Sequence, residues 1–247
     1  MKKEIYLWLG IVFLLAGIIL SFKLFLHFTF IFVLGQWSIF HYLNLRQNKE
    51  IKFNFIRLFI ISAAITLIIE LFVRHSSSVW VYNFDFFNFS YDFWPSMAAW
   101  MLYFPASLEI CNFFDKSEIK VKKYSINNFV LLVSIILLVI SFFKILDSRV
   151  HFAMLVFGIF CITDYISFKL NKKSVLSDLL NKNFSIIPIW LIISISIEVL
   201  NIIYNYVWRY YPPFLDFEIC KIPLVVIFGW IPLAGIYINS ARIAKNN

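Results

Sequence analysis

The sequence is built from apolar stretches about as long as a membrane-crossing helix, separated by short polar segments. A helix needs roughly 20 mostly apolar residues to cross a bilayer, and eight such stretches follow one another along the 247 residues. Because 62% of the residues are hydrophobic and only 15% are charged, a water-soluble fold cannot bury this much apolar surface. We therefore predict an all-α, polytopic transmembrane bundle with spans near residues 4–22, 25–43, 55–73, 95–114, 128–147, 150–169, 186–206 and 222–240.

The positions of lysine and arginine favour an even number of spans. Cytoplasmic segments of membrane proteins collect basic residues, and sixteen of the 22 fall in every second segment between the apolar stretches. We predict a cell-membrane protein with both termini in the cytoplasm. Because these residues form short clusters and not one continuous helix face, the net charge of +8 does not predict a nucleic-acid partner. The sixteen are Lys2, Lys3, Arg46, Lys49, Lys52, Arg57, Lys116, Lys120, Lys122, Lys123, Lys169, Lys172, Lys173, Lys182, Arg242 and Lys245.

The sequence offers few motifs for a cofactor, metal or cleaved signal. Lys2 and Lys3 precede the first apolar stretch, but no small-x-small cleavage site follows it, so we expect a retained span. Cys111, Cys161 and Cys220 lie far apart without CxxC spacing and are predicted to be small core residues. There is no HExxH, GxSxG or glycine-rich nucleotide loop. We predict no metal and no cofactor.

The chain contains an internal repeat at an offset of 128 residues, the separation of Glu70 from Glu198. The offset lays the first four spans on the last four. Units with an even number of spans enter the membrane in the same orientation, related by an axis along the bilayer normal. We predict one membrane domain, 1–247, made of repeat unit 1–114, a cytoplasmic linker 115–127 and repeat unit 128–247. The matched pairs are Glu70 and Glu198, Trp80 and Trp208, Tyr82 and Tyr210, Pro95 and Pro223, and Gln36 and Asp164.

In each unit, the connection between the third and fourth spans is predicted to lie outside the cell and is long, covering residues 74–94 and 207–221. Apolar and polar residues alternate over residues 87–93 and 215–219, a pattern typical of an extended segment with one apolar face. These aromatic residues either anchor the connections at the lipid headgroups or cover a cavity, and the two roles are compatible.

Glu70 and Glu198 are the leading candidates for chemistry. An ionisable residue inside a membrane helix costs about 2.5 to 3.5 kcal/mol on insertion scales, so it usually faces the bundle interior and has a purpose. Each glutamate lies ten residues before a Trp-x-Tyr motif, Trp80 to Tyr82 or Trp208 to Tyr210. Burial disfavours an ionised carboxyl group, so an acid placed there is suited to donate a proton at neutral pH.

Structural roles compete with these functional ones. Arg74 follows Glu70 by one helical turn and is placed to pair with it. Glu198 has no charged neighbour, so we expect either a partner from another helix or a carboxyl group that is held neutral. Gln36, Asp164 and Glu109 are interpreted as hydrogen-bonding links between helices, although a connection to the glutamates would make a polar path across the bundle. The histidines are interpreted as interfacial side chains.

The pattern of Glu70, Trp80, Tyr82 and Pro95, followed by residues 100–107, resembles the integral-membrane carotenoid-biosynthesis proteins of the C50-carotenoid hydratase type. The second unit is similar in having an acid, a Trp-x-Tyr, a proline and an apolar helix containing tryptophan. The paired acids that follow a proline in the related membrane lycopene cyclases are missing, so cyclase activity is not implied. The matching positions of the second unit are Glu198, Trp208, Tyr210, Pro223, Gly229, Trp230 and Pro232.

The resemblance implies an isoprenoid or carotenoid-like lipid as substrate, near the outer leaflet. Glu70 or Glu198 would protonate a double bond, and water would then add to the cation. Trp80, Tyr82, Trp208 and Tyr210 would bind the substrate, with cation–π attraction of roughly 0.5 to 2 kcal/mol per ring. Two alternatives stay open: a secondary transporter whose acids bind a cation or proton, and a noncatalytic structural or lipid-binding membrane protein.

Overall fold

The computed structural model describes residues 3–22, 28–72, 80–82, 93–115, 128–143, 148–203, 208–211, 217–219 and 222–245. Helices occupy all eight positions where the sequence predicts a span. At the seventh position three helical segments, α8, a π-helical segment and α9, follow one another without a break. The helices are α1 (Glu4–Phe22), α2 (Phe28–Arg46), α3 (Phe55–Phe72), α4 (Phe93–Phe114), α5 (Asn128–Phe142), α6 (Ser148–Asn171), α7 (Val175–Leu180), α8 (Ile186–Ile189), the π-helical segment (Trp190–Ile195), α9 (Ser196–Ile203) and α10 (Leu224–Ile243).

Among the described residues, five helices are long and apolar enough to cross a membrane. The chain therefore has the helices of a multi-pass membrane protein. The helix α5 is apolar but shorter, and a total of eight spans stays a prediction. The five segments are Glu4–Ser21, Phe55–Phe72, Val150–Asn171, Ile186–Ile203 and Val226–Ile243.

The helices α4 and α10 form the centre of the bundle. They pack against each other, α2 packs against α4, and α6 packs against α10. The helices α1 and α5 lie further out, on α2 and α6. Large apolar side chains such as Trp8, Phe59 and Leu132 are exposed on α1, α3 and α5. These outward apolar faces suit contact with lipid, which removes the need to bury them inside the protein.

Glycines allow α1 and α2 to approach closely. A Cβ atom on Gly10 would lie 2.5 Å from Ile39 Cγ1, and one on Gly35 would lie 2.6 Å from the backbone nitrogen of Leu14. Small residues at such an interface let two backbones pack side by side, a common arrangement between membrane helices. The helix α2, although it contains polar residues, is therefore tightly packed against α1.

One end of the bundle, named here the basic end, is where α2, α4, α6 and α10 finish. Basic side chains there donate hydrogen bonds to the last carbonyl groups of these helices. Lys49 Nζ donates to Asp115 O at 2.9 Å, and Lys3 Nζ donates to Leu45 O at 3.1 Å. Cations at helix C-termini are stabilised by the helix dipole, so some of the basic residues from which the topology is predicted also cap helices.

Three predicted spans end earlier than their helices do. The helix α2 ends at Arg46, α6 at Asn171 and α10 at Ile243, beyond the predicted ends at residues 43, 169 and 240. The last turns of α2 and α10 carry arginines that form hydrogen bonds with other side chains. Arg46 Nη1 donates to Tyr42 OH at 3.1 Å, and Arg242 Nη2 donates to Asp178 Oδ2 at 2.6 Å. A span estimated from hydropathy alone stops before such residues.

At the opposite end, named here the sheet end, four short strands form two antiparallel pairs. The strand β1 (Trp80–Tyr82) pairs with β2 (Trp208–Tyr210), and β3 (Glu218–Ile219) pairs with β4 (Ile222–Pro223). The all-α prediction describes the bundle but not these strands. The strand β3 covers residues 218–219 of the alternating segment 215–219, and residues 215–216 lie outside the described ranges. Of the segment 87–93, residues 87–92 lie outside the described ranges, and Phe93 begins α4 and is not extended.

Candidate functional site

The carboxyl group of Glu198 is the best-defined feature of the candidate site. Glu198 lies near the start of α9 and its residue is only 3% exposed. Its Oε1 atom accepts hydrogen bonds from the hydroxyl of Tyr210 at 2.5 Å and from Nε1 of Trp230 at 3.0 Å. These donors belong to β2 and α10. The expectation that Glu198 finds its partners outside its own helix is confirmed.

The strand β2 is attached to α9 by a second set of hydrogen bonds. Asn201 Nδ2 donates to the carbonyl oxygen of Trp208 at 3.1 Å, and the Trp208 backbone nitrogen donates to Asn201 Oδ1 at 3.2 Å. The indole Nε1 of Trp208 donates to Tyr210 OH at 2.8 Å. A hydrogen-bonded chain therefore runs from Trp208 through Tyr210 to Glu198. Such chains polarise their members and fix the geometry of the acceptor.

Aromatic rings from the two central helices lie beside the carboxyl group. Tyr103 of α4 is 6.3 Å from Trp230, centroid to centroid, and it stacks on Tyr237 of α10 at 5.5 Å with an interplanar angle of 22°. Trp100 and Phe104 pack against Tyr237 at 6.3 and 4.9 Å. The tyrosines and Trp230 are buried. The Glu198 carboxyl group therefore lies beside a layer of aromatic rings in the middle of the bundle.

The second predicted acid, Glu70, approaches the same layer from α3. It is 2% exposed. Glu70 interacts electrostatically with Tyr237, and Glu198 interacts in the same way with Tyr103. Tyr103 and Tyr237 stack on each other. Each acid therefore interacts with one member of the same aromatic pair. Arg74, the alternative partner of Glu70, lies outside the described residues.

The two Trp-x-Tyr motifs come together above the acids. In the pairing of β1 with β2, Trp80 lies opposite Tyr210 and Tyr82 lies opposite Trp208. The sequence predicted that both motifs approach their glutamates, but it did not predict that they pair with each other. The side chains of Trp80 and Tyr82 are outside the description, so their predicted contact with substrate stays a prediction.

The other intramembrane polar residues link helices, as predicted. Asn239 Nδ2 of α10 donates to Asp164 Oδ1 at 3.0 Å. Asn44 of α2 donates to the Glu109 carboxylate, and His41 Nδ1 lies 2.8 Å from the other oxygen of that carboxylate. These bonds join α6 to α10 and α2 to α4, consistent with the role of polar groups between membrane helices.

Gln36 forms a hydrogen bond with the π-helical segment that precedes Glu198. Its Nε2 atom donates to Ile192 O at 2.9 Å, and the Ser196 hydroxyl donates to the same carbonyl oxygen. A π-helical turn bonds residue i to residue i+5 and is frequent near functional sites. The side chain of Gln36 therefore holds an irregular stretch of backbone one turn before the acid.

A salt-bridged cluster at the basic end was not predicted. Arg242 Nη2 donates to Asp178 at 2.6 Å, and Lys173 donates to the carboxylate of Asp115. Arg242 Nη2 also lies 3.5 Å from Cys111 Sγ. From the sequence, these charged residues were assigned to loops and topology signals. The cluster becomes visible only in the three-dimensional structure, where the residues lie close together.

Sequence reasoning also missed Asn201 and Tyr237 as parts of the site, and Tyr103 was named only within residues 100–107 of the family resemblance. A tyrosine in a strongly apolar span is a usable signal, because its hydroxyl is costly to bury without a purpose. Asn201, one turn after Glu198, carries the same kind of signal. Trp230 was named only through the family resemblance.

Chemically, the site combines a buried carboxyl group, two hydrogen-bond donors fixed on one of its oxygens and a layer of aromatic faces. Such a site suits proton transfer and stabilisation of a positive charge. Among the described residues, no group of three or more His, Cys, Asp or Glu side chains is placed to hold a metal ion. Comparisons with protein-family models, with curated proteins and with solved structures find no match for this chain.

Proposed function

We propose that the chain is a duplicated membrane bundle, two units of four spans each, with both termini in the cytoplasm. Three observations support the duplication, in packing, burial and strand pairing. The contacts α1 with α2 and α2 with α4 in the first unit correspond to α5 with α6 and α6 with α10 in the second. The central contact joins α4 to α10, which are equivalent helices under the repeat.

Burial along the third span of each unit follows the same positions. Apart from Ser62, whose counterpart Trp190 is half-buried, the buried residues of α3 are matched at the repeat offset by buried residues of the seventh span. This agreement includes the polar position one turn before the acid. The pairs are Ile65 and Ile193, Thr66 and Ser194, Ile69 and Ile197, and Glu70 and Glu198.

The strand pairing has the symmetry expected of two equivalent units. Trp80 pairs with Tyr210, and its counterpart Trp208 pairs with Tyr82, the counterpart of Tyr210. The pairing is therefore unchanged when the two units are exchanged. A two-fold axis through such a pair, along the bilayer normal, relates units of the same orientation. The basic end would then face the cytoplasm and the sheet end the outside.

For the activity, we propose acid-catalysed hydration of an isoprenoid or carotenoid-like lipid, with Glu198 as the acid. The observation that carries this proposal is the buried Glu198 carboxyl group beside Trp230 and Tyr103. Tyr210 and Trp230 both donate to Oε1, and we assign the proton of the acid form to Oε2. The family resemblance points to the same class of substrate.

In this step, the proton on Glu198 Oε2 passes to one carbon of a lipid double bond and leaves a cation on the other. The rings of Trp230 and Tyr103 stabilise that cation by about 0.5 to 2 kcal/mol each. The oxygen of a water molecule then adds to the cation, and its surplus proton returns to the carboxylate. The net change is the addition of one water to one double bond, and the acid is regenerated.

The test is expression of the full chain in a host that makes long isoprenoids, with mass spectrometry of lipid extracts. We expect a product heavier by one water, lost in Glu198→Gln and reduced in Trp208→Ala. Glu50→Gln is the matched control, because Glu50 is an exposed carboxylate. If the wild-type chain is present in the membrane and makes no such product, hydration is excluded for these lipids.

A secondary transporter is the second candidate, and one observation favours it. Glu70 and Glu198 approach the Tyr103–Tyr237 stack from different spans, at the contact between the two proposed units. Acids at such an interface bind the coupling ion in many carriers. Unchanged lipids together with loss of proton-coupled uptake in Glu198→Gln vesicles would select the carrier, and no response in either assay would favour a noncatalytic role.

A further inference from the structure

A file of buried polar side chains follows the contact between α4 and α10. On α4, Tyr103, Ser107 and Cys111 are spaced four residues apart and therefore share one face of the helix. On α10, Tyr237 and Ser240 are three residues apart and lie on neighbouring positions. All five side chains are buried. We name this set the α4–α10 file.

Two contacts fix how the file is aligned. Tyr103 stacks on Tyr237 at 5.5 Å, and Arg242 Nη2 lies 3.5 Å from Cys111 Sγ. Both helices therefore run in the same direction, from the sheet end to the basic end. Ser107 and Ser240 lie between these contacts on their respective helices, so they occupy the same level, below the tyrosine stack.

The hydroxyl groups of the file have unused hydrogen-bonding capacity. Tyr237 OH, Ser107 Oγ and Ser240 Oγ find no partner among the described residues, and neither does Thr66 Oγ1, one turn before Glu70. Buried polar groups in native proteins are normally paired with protein or water. A run of such hydroxyls is therefore suited to bind water and to pass protons, since each accepts one hydrogen bond and donates another.

Two serines outside the α4–α10 file, Ser38 and Ser62, behave differently, whereas the Ser141 hydroxyl on α5 also has no partner among the described residues. Ser38 Oγ donates to Leu34 O at 2.8 Å and Ser62 Oγ donates to Leu58 O at 2.7 Å. Bonding to the carbonyl four residues earlier is the usual solution for a serine inside a helix. The serines of the α4–α10 file do not form this bond. They lie along the contact between α4 and α10, with the two acids toward one end and the charged cluster at the other.

The file has an ionisable group at each end. At the sheet end, Tyr237 and Tyr103 interact electrostatically with Glu70 and Glu198. At the basic end, Arg242 bonds to Asp178 at 2.6 Å, and Lys173 lies 4.0 Å from Asp178. The Lys173 side chain is 35% exposed, so the cluster reaches the surface.

We propose that the α4–α10 file conducts protons between the two buried acids and the basic end of the bundle. A proton that enters at the basic end passes along the serine hydroxyls and their bound water to Tyr237, then to the carboxylates. No bond other than O–H is made or broken. The inference stands apart from the lipid chemistry, because proton flux is measured without any lipid product.

The test uses the purified full-length chain in phosphatidylcholine–phosphatidylglycerol liposomes that contain a pH-sensitive dye. A potassium gradient with valinomycin drives protons inward. We expect flux well above that of protein-free liposomes, and a loss of about tenfold in the double variant Ser107→Ala, Ser240→Ala. The matched control is Ser38→Ala with Ser62→Ala, which removes one half-buried and one buried hydroxyl and is expected to keep the wild-type rate.

Two further variants separate conduction from folding. Ser107→Thr keeps a hydroxyl and is expected to keep the flux, whereas Tyr237→Phe removes only a hydroxyl and is expected to lower it. The Tyr237→Phe variant decides the matter if the double variant does not reconstitute. Wild-type flux no greater than that of empty liposomes, or equal flux in the file variants and the Ser38, Ser62 control, would overturn the proposal.

Discussion

The hydroxyl group of Tyr210, on a strand at the sheet end, donates a hydrogen bond at 2.5 Å to the buried carboxyl group of Glu198. This single contact joins the connecting segment to the interior of the bundle. The same tyrosine lies opposite Trp80 in the strand pair. The acid, its partner and the two Trp-x-Tyr motifs therefore form one structural unit.

The first prediction concerns the Tyr210 hydroxyl. Tyr210→Phe keeps the ring but removes the donor, and a hydrogen bond between neutral groups contributes about 0.5 to 1.5 kcal/mol. We expect a loss of about that size in the free energy of unfolding in detergent. Tyr211→Phe is the neighbouring control, because Tyr211 is half exposed. Equal stability of the two variants would show that the bond is not formed.

The second prediction is coupling between Glu198 and Trp230. The indole of Trp230 donates to Glu198 at 3.0 Å, so Trp230→Phe should cost less stability in a Glu198→Gln background than in the wild type. Residues in one hydrogen-bonding network couple by about 0.5 to 3 kcal/mol. A double-mutant cycle on unfolding measures this term. Strict additivity would contradict the network, and Trp8→Phe on the exposed face of α1 supplies the uncoupled control.

The third prediction concerns the close contact of α1 and α2. A side chain at Gly35 would meet the backbone of Leu14 at 2.6 Å, which α1 can accommodate only by moving away. We expect Gly35→Val to destabilise the protein by about 1 to 3 kcal/mol, as overpacking does elsewhere. Gly229→Ala is the control, since a Cβ there meets nothing within 4 Å. The readout is thermal unfolding in detergent. Equal stability of the two variants would contradict this packing.

The fourth prediction concerns the buried Arg242–Asp178 pair. Asp178→Ala leaves the guanidinium of Arg242 without its carboxylate, and breaking a buried ion pair costs about 3 to 5 kcal/mol. Replacing both residues, Asp178→Leu with Arg242→Met, should restore most of that loss because no unpaired charge remains. The readout is the midpoint of denaturation. A double variant as unstable as Asp178→Ala would mean that the charges matter beyond their pairing.

The fifth prediction concerns orientation. In a chain whose native cysteines are replaced, a membrane-impermeant maleimide added to whole cells should label Tyr211→Cys at the sheet end. It should label Asn48→Cys at the basic end only after the membrane is opened. This follows from the clustering of lysine and arginine at the basic end. The reverse labelling pattern would invert the proposed topology.

Much of the bundle is readable from sequence, because lipid imposes a simple length and polarity rule on each span. Each of the eight apolar stretches contains a helix, and the helix ends lie within a few residues of the predicted ends. Burial of Glu70 and Glu198 follows equally from the cost of placing a charge in lipid. These features depend on local composition.

The pairings between distant segments were not readable in the same way. The approach of β1 to β2, the stacking of Tyr103 on Tyr237 and the contact of Arg242 with Asp178 each join residues that are far apart along the chain. Hydropathy and charge patterns report how a segment meets lipid or water. They contain no information on which segment it meets inside the protein.

The central claim is that the two halves of the chain bring their Trp-x-Tyr motifs together over the buried acids. Val81 and Arg209 are Cα partners in that pairing, and opposed antiparallel residues lie about 4.5 to 5.5 Å apart, within reach of a disulfide. We therefore expect Val81→Cys and Arg209→Cys to cross-link on oxidation of native membranes. Phe53→Cys with Lys245→Cys, which form the bridge at the basic end, is the positive control. A cross-link in the control pair but none between positions 81 and 209 would contradict the account.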